Sequence, residues 1–155
     1  MDRNLGATQA ATSSNDALAY GDLYQWGRRS DGHQIVTNCS GSYCSTVSGG
    51  ISVLSSTDQP THGLQIRGAA ITGSGTLNDW RIPQNHNLWQ GLNGINNPCP
   101  SGYRLPTQAE FDAERLSWSS NDAAGAFASP LKLPMAGRRS HSTGGHVNGG
   151  LGHYW

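Results

Sequence analysis

The chain has 155 residues, of which 35% are hydrophobic and 13% charged, and its formal net charge is zero. This balance argues against a nucleic-acid-binding domain, because such domains carry an excess of basic residues. No apolar run is long enough to span a membrane. Five Trp, five Tyr and two Phe exclude a disordered chain, because disordered chains are poor in aromatic residues. The composition therefore predicts one folded, loop-rich domain over residues 1–155.

The N-terminal segment "NDALAYGDLYQWG" has an ambiguous hydrophobic pattern. Its Leu18, Leu23, Tyr24 and Trp26 fit either a weak helix or a strand. Residues 30–75 are rich in Gly, Ser and Thr, which predicts long loops with short strands such as "GISVLSS".

Three cysteines are present, and two of them lie close together in "CSGSYC". This spacing predicts a local disulfide between Cys39 and Cys44, and it favours metal binding less because no second ligand pair lies nearby. Cys99 is then either a cysteine whose disulfide partner is missing from this sequence or a buried free thiol. Asn38 begins an Asn-Cys-Ser glycosylation sequon, which matters only in a secretory host.

The histidines outside the C-terminal tail lie in loop-like contexts. His33, His62 and His86 are therefore predicted at the surface. The segment "NDWRIPQNHNLWQG" also contains Asp79 and Arg81, and this set favours a structural network over a catalytic one.

Five tryptophans are predicted to be mainly core residues. Trp80 and Trp89, which lie in polar loops, are the best candidates for exposure.

One helix is strongly predicted, in "LPTQAEFDAERLSW". Thr107 can cap its N-terminus, and Glu110 three residues later completes a capping box. The helix is expected from about Gln108 to about Ser117. The segments "GYRLP" and "LKLPM" have the alternation of short buried strands, each ended by a proline.

No catalytic set is visible in the sequence, which predicts that the protein is not an enzyme. No G-x-S-x-G nucleophile motif occurs. The spacing of His141, His146 and His153 matches no zinc-binding motif, so no metal site is predicted. No cofactor is expected, although a calcium ion bridging the loops "SDGHQ" and "SSNDAAG" stays open.

Four segments, in this order along the chain, resemble one known family: "MDRNLGATQ", "YGDLYQWGRRSDGH", "NPCPSGYRLPTQAEFDAE" and "LKLPMAGRR". The chain resembles the Fibrobacter succinogenes major paralogous domain family over nearly its whole length. "CPSGYRLPT" followed by an acidic helix, and "LKLP" followed by "AG", are the most specific parts. This family is similar to C-type-lectin-like domains of adhesin tips and of the variable proteins of diversity-generating retroelements.

The resemblance implies a C-type-lectin-like α+β fold with short antiparallel strands and one or two helices. It also implies a secreted protein, on a bacterial cell surface or a phage particle, that binds a ligand. Family members continue after a "YYW"-like motif with further strands and a cysteine. The resemblance therefore implies that Cys99 pairs with a later cysteine and that this chain is a fragment without its last strands.

The glycine-studded tail from Arg138 to His153 is the predicted recognition segment, because a rigid scaffold displays it between buried anchors. Retroelement mutagenesis produces NNY codons, which never encode Lys, Glu, Gln, Met or Trp. None of these occurs from 138 to 154, whereas Met135 and Trp155 flank the segment. An ordinary surface hairpin explains this equally well. The predicted ligand-binding residues are Arg138, Arg139, Ser140, His141, Thr143, His146, Asn148, Leu151 and His153.

The predicted function is therefore recognition of a glycan or a protein receptor on a cell surface, as an adhesion module. One alternative is a structural spacer domain of a large surface protein. The other is an oxidoreductase related to the formylglycine-generating enzymes, which are distant structural relatives of the family. Those enzymes use a cysteine pair near the C-terminus, and this chain has no cysteine after Cys99.

Overall fold

The computed structural model describes residues 1–40, 43–46, 50–67, 79–147 and 150–154. Two α-helices, one 3-10 helix and six short strands lie in these segments, so the protein is of mixed α and β structure, as predicted. The elements are a 3-10 helix Ala17–Ala19, β1 Val36–Ser40, β2 Tyr43–Thr46, β3 Gly50–Ile51, β4 Gln65–Ile66, α1 Gln108–Leu116, α2 Ala123–Ala128, β5 Arg138–Arg139 and β6 His146–Val147.

The strands form three separate two-stranded sheets in the described part of the chain. The β1–β2 and β5–β6 pairs are antiparallel, as predicted, but β3 and β4 pair in parallel. Residues 52–64 connect β3 to β4, and they supply the dozen or so residues that a parallel crossover needs. The prediction of antiparallel strands alone was therefore incomplete.

Helix α1 confirms the predicted capping box. The Thr107 hydroxyl accepts from the backbone N–H of Glu110 at 3.3 Å, and the Glu110 carboxylate accepts from the backbone N–H of Thr107 at 2.8 Å. Arg104 adds two charged hydrogen bonds to the same carboxylate. The hydrogen bonds from Arg104, followed by those from Thr107, lower the pKa of Glu110 to about 2.

Replacing Thr107 with alanine is expected to lower the free energy of unfolding by about 1 kcal/mol, because one helix N–H loses its acceptor. Urea unfolding of both proteins measures the difference. The control is Ser119→Ala, in the exposed loop after α1, which should change stability little. Equal stability of the two variants would contradict the role of the cap.

Three predicted elements are absent. The segment "NDALAYGDLYQWG" forms only the 3-10 helix, and the rest of it has neither α-helix nor strand. "GYRLP" is no strand because Tyr103 donates its N–H to Pro100 in a turn and is half exposed. "LKLPM" is no strand because Lys132 has a φ of 48°, which breaks the extended path, although Leu133 is buried.

Among the described residues, buried hydrophobic side chains form two small clusters. Tyr20, Cys44 and Ala136 form the first, beneath the β1–β2 pair. Ile66, Trp80 and Leu88 form the second, beside β4. The small apolar clusters are supplemented by buried polar side chains, of which Arg28 and His33 are completely buried.

Candidate functional site

An open cleft of about 750 Å³ is formed by segments that are distant in the sequence. Its lining comes from residues 4–5, 20, 22–26, 65–66, 79–80, 84, 86, 89, 98, 105, 136–139, 141, 153 and 154. The cleft therefore joins the predicted recognition tail to the tryptophan-rich loops.

One wall of the cleft is aromatic. Trp26 is 40% exposed and lines the cleft, and the Trp89 ring packs edge-on against it at 5.0 Å between centroids. Trp80 donates its indole N–H to the backbone carbonyl of Trp26 at 2.6 Å. Tyr24 packs edge-on against Trp89 at 6.0 Å. Trp26 is thus an exposed tryptophan of the cleft, and its neighbours hold it in place.

The predicted exposure of Trp80 and Trp89 is wrong, because their side chains are only 3% and 4% exposed. Both indole N–H groups are buried, and each finds a backbone carbonyl, that of Trp26 for Trp80 and that of Arg28 for Trp89. Burial of a tryptophan requires such a partner. Neighbouring polar residues in the sequence gave no sign of these distant carbonyls.

Asp79 and Arg81, two residues of the predicted structural network, make contacts that hold the segment around Trp80. The Asp79 carboxylate accepts from the backbone N–H groups of Trp80 and Arg81 at 2.7 and 3.2 Å. Arg81 forms an ion pair with Asp58 at 2.7 Å. His86 is exposed at the cleft.

A buried network of charged side chains lies behind the aromatic wall. The Arg28 guanidinium binds Asp31 at 2.8 Å, the side-chain oxygen of Gln25 at 2.8 Å, and the carbonyls of His62 and Leu64 at 2.7 and 2.8 Å. Four acceptors around one buried cation offset the cost of removing it from water. Arg28 therefore ties the segment 25–31 to the segment 62–64.

His33 extends this network, and its predicted surface position is wrong because the side chain is completely buried. Its Nε2 accepts from the backbone N–H of Gln25 at 3.0 Å, and its Nδ1 lies 2.7 Å from the Asp31 carboxylate. The two contacts fix a neutral ring with the proton on Nδ1. Burial lowers the pKa of His33, assisted by the charge of Arg28.

Asp31 stays ionised between these two partners. Burial raises its pKa, but the hydrogen bonds from His33 and the charge of Arg28 outweigh burial, and the net effect is a pKa below the ordinary value. The acidic member of the network therefore balances the buried guanidinium of Arg28.

The stability of the protein is expected to fall as the pH decreases below about 6.5. The folded-state pKa of His33 is lower than the unfolded value, so below about 6.5 the unfolded chain binds more protons than the folded one. A proton on Nε2 would also face the Gln25 N–H. Urea unfolding between pH 7.5 and pH 5, at intervals of about half a unit, measures the slope.

The variant His33→Gln is expected to reduce this slope, whereas His86→Gln, at an exposed histidine, should retain it. The slope, rather than the absolute stability, is compared, because the glutamine itself changes packing. An unchanged slope in His33→Gln would contradict the assignment.

Arg139 connects the tail to the buried network. Its guanidinium donates to the backbone carbonyl of His33 and, at 2.8 Å, to that of Gly144. Burial, followed by the charge of Arg28, lowers the pKa of Arg139 to about 10, so it remains charged at neutral pH. Strand β5 is thereby held against the segment around His33.

Four of the predicted ligand-binding residues line the cleft, namely Arg138, Arg139, His141 and His153. Four others lie outside its lining, namely Ser140, Thr143, His146 and Leu151. Asn148 and Trp155 lie outside the described residues. The structure thus brings together about half of the predicted set.

The residues outside the lining are mainly engaged within the tail. The Ser140 hydroxyl accepts from the backbone N–H of Thr143 at 3.2 Å, and the Thr143 hydroxyl accepts from Gly145 at 3.3 Å. His146 contacts the carbonyl of Ala136 at 2.9 Å and shapes the β5–β6 pair. Leu151 is exposed.

The far end of the tail is anchored by Tyr154, as predicted. Its hydroxyl donates to the carbonyl of Pro134 and accepts from the Asn4 side chain at 3.4 Å. Burial raises the pKa of Tyr154 to about 12. The tail is therefore fastened at Arg139 and again at Tyr154, and His141 and His153 are exposed between these two points.

The cysteine pair in the predicted short loop is bonded in the structure. Cys39 and Cys44 form the predicted disulfide, and Cys99 is a free, half-buried thiol whose pKa is raised by burial. Within the described segments, no three His, Cys, Asp or Glu side chains are grouped closely enough to hold a metal ion. Neither helix in the described part of the chain has the length and apolar character needed to cross a bilayer.

Sequence reasoning missed three residues of the cleft and its support. Nothing in the sequence beyond its residue type indicated that Trp26 lines a cleft. Gln65 lies in a strand of only two residues, and Arg28 has the sequence context of an ordinary exposed arginine. Their positions depend on contacts with residues far along the chain.

No protein-family model matches the chain, and no curated protein or solved structure is significantly similar to it.

Proposed function

We propose that this chain is a non-catalytic, extracellular ligand-binding module with a C-type-lectin-like fold, related to the Fibrobacter succinogenes major paralogous domain family. It recognises a glycan or protein receptor on a cell surface. The four quoted segments, and above all "CPSGYRLPT" with its acidic helix, support this relationship.

The observation that carries the proposal is the composition of the cleft. It combines exposed, hydrogen-bonding tail residues with the partly exposed ring of Trp26. Binding sites usually combine an aromatic or apolar surface with a few polar groups that fix the orientation of the ligand. The rigid support behind the cleft, at Arg139 and Tyr154, lowers the entropy lost on binding.

Two further features support an extracellular, non-catalytic role. The Cys39–Cys44 disulfide is the kind of bond that persists in oxidising compartments. The raised pKa of Cys99 keeps its thiol protonated, which is unfavourable for a nucleophile.

Binding to a glycan array and to whole bacterial cells tests the proposal. The test variant changes Arg138, His141 and His153 together to serine, because these three exposed residues line the cleft. We expect the native protein to bind and the variant to lose at least about tenfold in apparent affinity, since charge-assisted hydrogen bonds are lost.

The control is Arg115→Ser on helix α1, which removes an arginine outside the cleft lining. Thermal unfolding of each variant confirms that it is folded. Binding by the triple variant equal to that of the native protein would place the site elsewhere. Absence of any binding by the native protein would favour the spacer function.

A further inference from the structure

The charged groups of the cleft differ in whether they are already engaged by the protein. The Asp22 carboxylate accepts hydrogen bonds from the backbone of Val36 and the side chain of Gln34, and Asp79 accepts from two backbone N–H groups. Arg139 binds two carbonyls. The Arg138 side chain is exposed, and its guanidinium has no hydrogen-bond or ion-pair partner among the described residues.

Three exposed histidines, His86, His141 and His153, line the same cleft and add to its available hydrogen-bond donors. Each imidazole ring has a nitrogen that can donate a hydrogen bond to an anionic group. The cleft therefore offers an available guanidinium and imidazoles, whereas both of its carboxylates are occupied. This arrangement favours an anionic ligand group.

A second feature is the buried amide of Gln65 in the cleft lining. Gln65 is only 3% exposed, and its side-chain oxygen accepts no hydrogen bond from any described residue. It lies beside Gly144, where a Cβ would be 3.3 Å from the Gln65 Cγ. An unsatisfied buried acceptor is destabilising and calls for a donor from outside the protein.

We propose that the cleft binds an acidic saccharide, with a sugar ring packed on Trp26 and its carboxylate or sulfate group held by Arg138. A sugar hydroxyl donates to the side-chain oxygen of Gln65. The proposal rests on the proposed function and names the ligand class of the same cleft.

A saccharide fits these groups better than an acidic peptide does. The C–H face of a sugar ring is flat and apolar, and it matches the exposed part of a tryptophan ring, while its hydroxyls supply donors. Acidic peptides carry several charges in succession, whereas only one arginine of the described cleft lining is unengaged. One anion beside one ring is the pattern of a uronic or sulfated sugar.

Isothermal titration calorimetry with five probes tests the inference. The probes are an oligogalacturonate, its fully methyl-esterified form, a sulfated malto-oligosaccharide, the unsulfated malto-oligosaccharide and poly-glutamate. We expect one of the two anionic sugars to bind at least about tenfold more tightly than its neutral counterpart, which loses the charged hydrogen bonds. This preference should weaken as the ionic strength rises.

Three variants test the assigned contacts. Arg138→Gln should weaken binding of the anionic sugar by about 10-fold to 100-fold, through loss of a bidentate charged contact, and leave the weak binding of the neutral sugar unchanged. Gln65→Met should weaken binding without lowering the thermal midpoint, since it removes an unsatisfied acceptor. Trp26→Leu should weaken binding of both sugars. Arg115→Gln, on helix α1, is the matched control and should bind as the native protein does.

The possible results separate this inference from the proposed function. Equal binding of charged and neutral sugars, or full binding by Arg138→Gln, overturns the acidic ligand but leaves a glycan-binding module. Binding of poly-glutamate alone overturns it in favour of an acidic protein partner. Absence of binding to all five probes overturns the acidic saccharide, and the cell and array assay then decides the proposed function separately.

Discussion

Replacing Arg28 with methionine is expected to lower the free energy of unfolding by about 3–5 kcal/mol, the usual cost of breaking a buried ion pair. The substitution leaves the Asp31 carboxylate buried without its cation, although His33 still contacts it. It also leaves the carbonyls of His62 and Leu64 without a donor. Urea unfolding followed by circular dichroism measures the loss.

The neighbouring Arg29 provides the matched control. Its guanidinium makes one longer hydrogen bond, of 3.3 Å, to the side chain of Gln59. Arg29→Met should therefore cost no more than about 1 kcal/mol. A loss in Arg28→Met as small as that in Arg29→Met would mean that the buried network contributes little to the fold.

Replacing Arg139 with methionine is expected to cost about 2–3 kcal/mol of stability, because two charged hydrogen bonds to backbone carbonyls are lost. These bonds join β5 to the segment around His33 and to Gly144. The same substitution should reduce ligand affinity indirectly, because β5 also carries Arg138. Chemical unfolding and binding are measured on the same sample.

The variant Arg138→Met, at the preceding residue, is the natural comparison. Arg138 is exposed, so its replacement should change stability by less than about 0.5 kcal/mol while reducing binding directly. Arg139→Met should therefore mainly lower stability, whereas Arg138→Met should mainly lower ligand affinity. If Arg139→Met kept the native stability but lost binding, Arg139 would instead be a direct ligand contact.

This comparison bears on how the predicted recognition tail works. The sequence placed Arg138 and Arg139 together as ligand-binding residues, but adjacent residues on a strand point to opposite faces. Arg139 is half-buried and anchors the tail, whereas Arg138 is exposed at the cleft. In β5, therefore, Arg139 supports the tail while its neighbour Arg138 is exposed at the cleft.

Several features were determined by the sequence alone because they depend on neighbouring residues. The cap of helix α1 needs only Thr107 and Glu110, three positions apart. The Cys39–Cys44 disulfide closes a loop so short that the two residues are always close. Mixed α and β structure and an aromatic-anchored fold likewise follow from composition and local pattern.

Only the tertiary structure decided which polar residues are buried and which aromatic ring is exposed. Arg28 is buried because it binds the carbonyls of His62 and Leu64, which lie 34 and 36 residues along the chain, whereas His33 is buried against its nearer neighbours Gln25 and Asp31. Trp80 is buried because its indole reaches a carbonyl 54 residues away. A charge or a polar neighbour predicts exposure only when no such distant partner exists, and a single sequence does not reveal one. The long-range contacts therefore shape the cleft, while the local patterns supply the elements that line and support it.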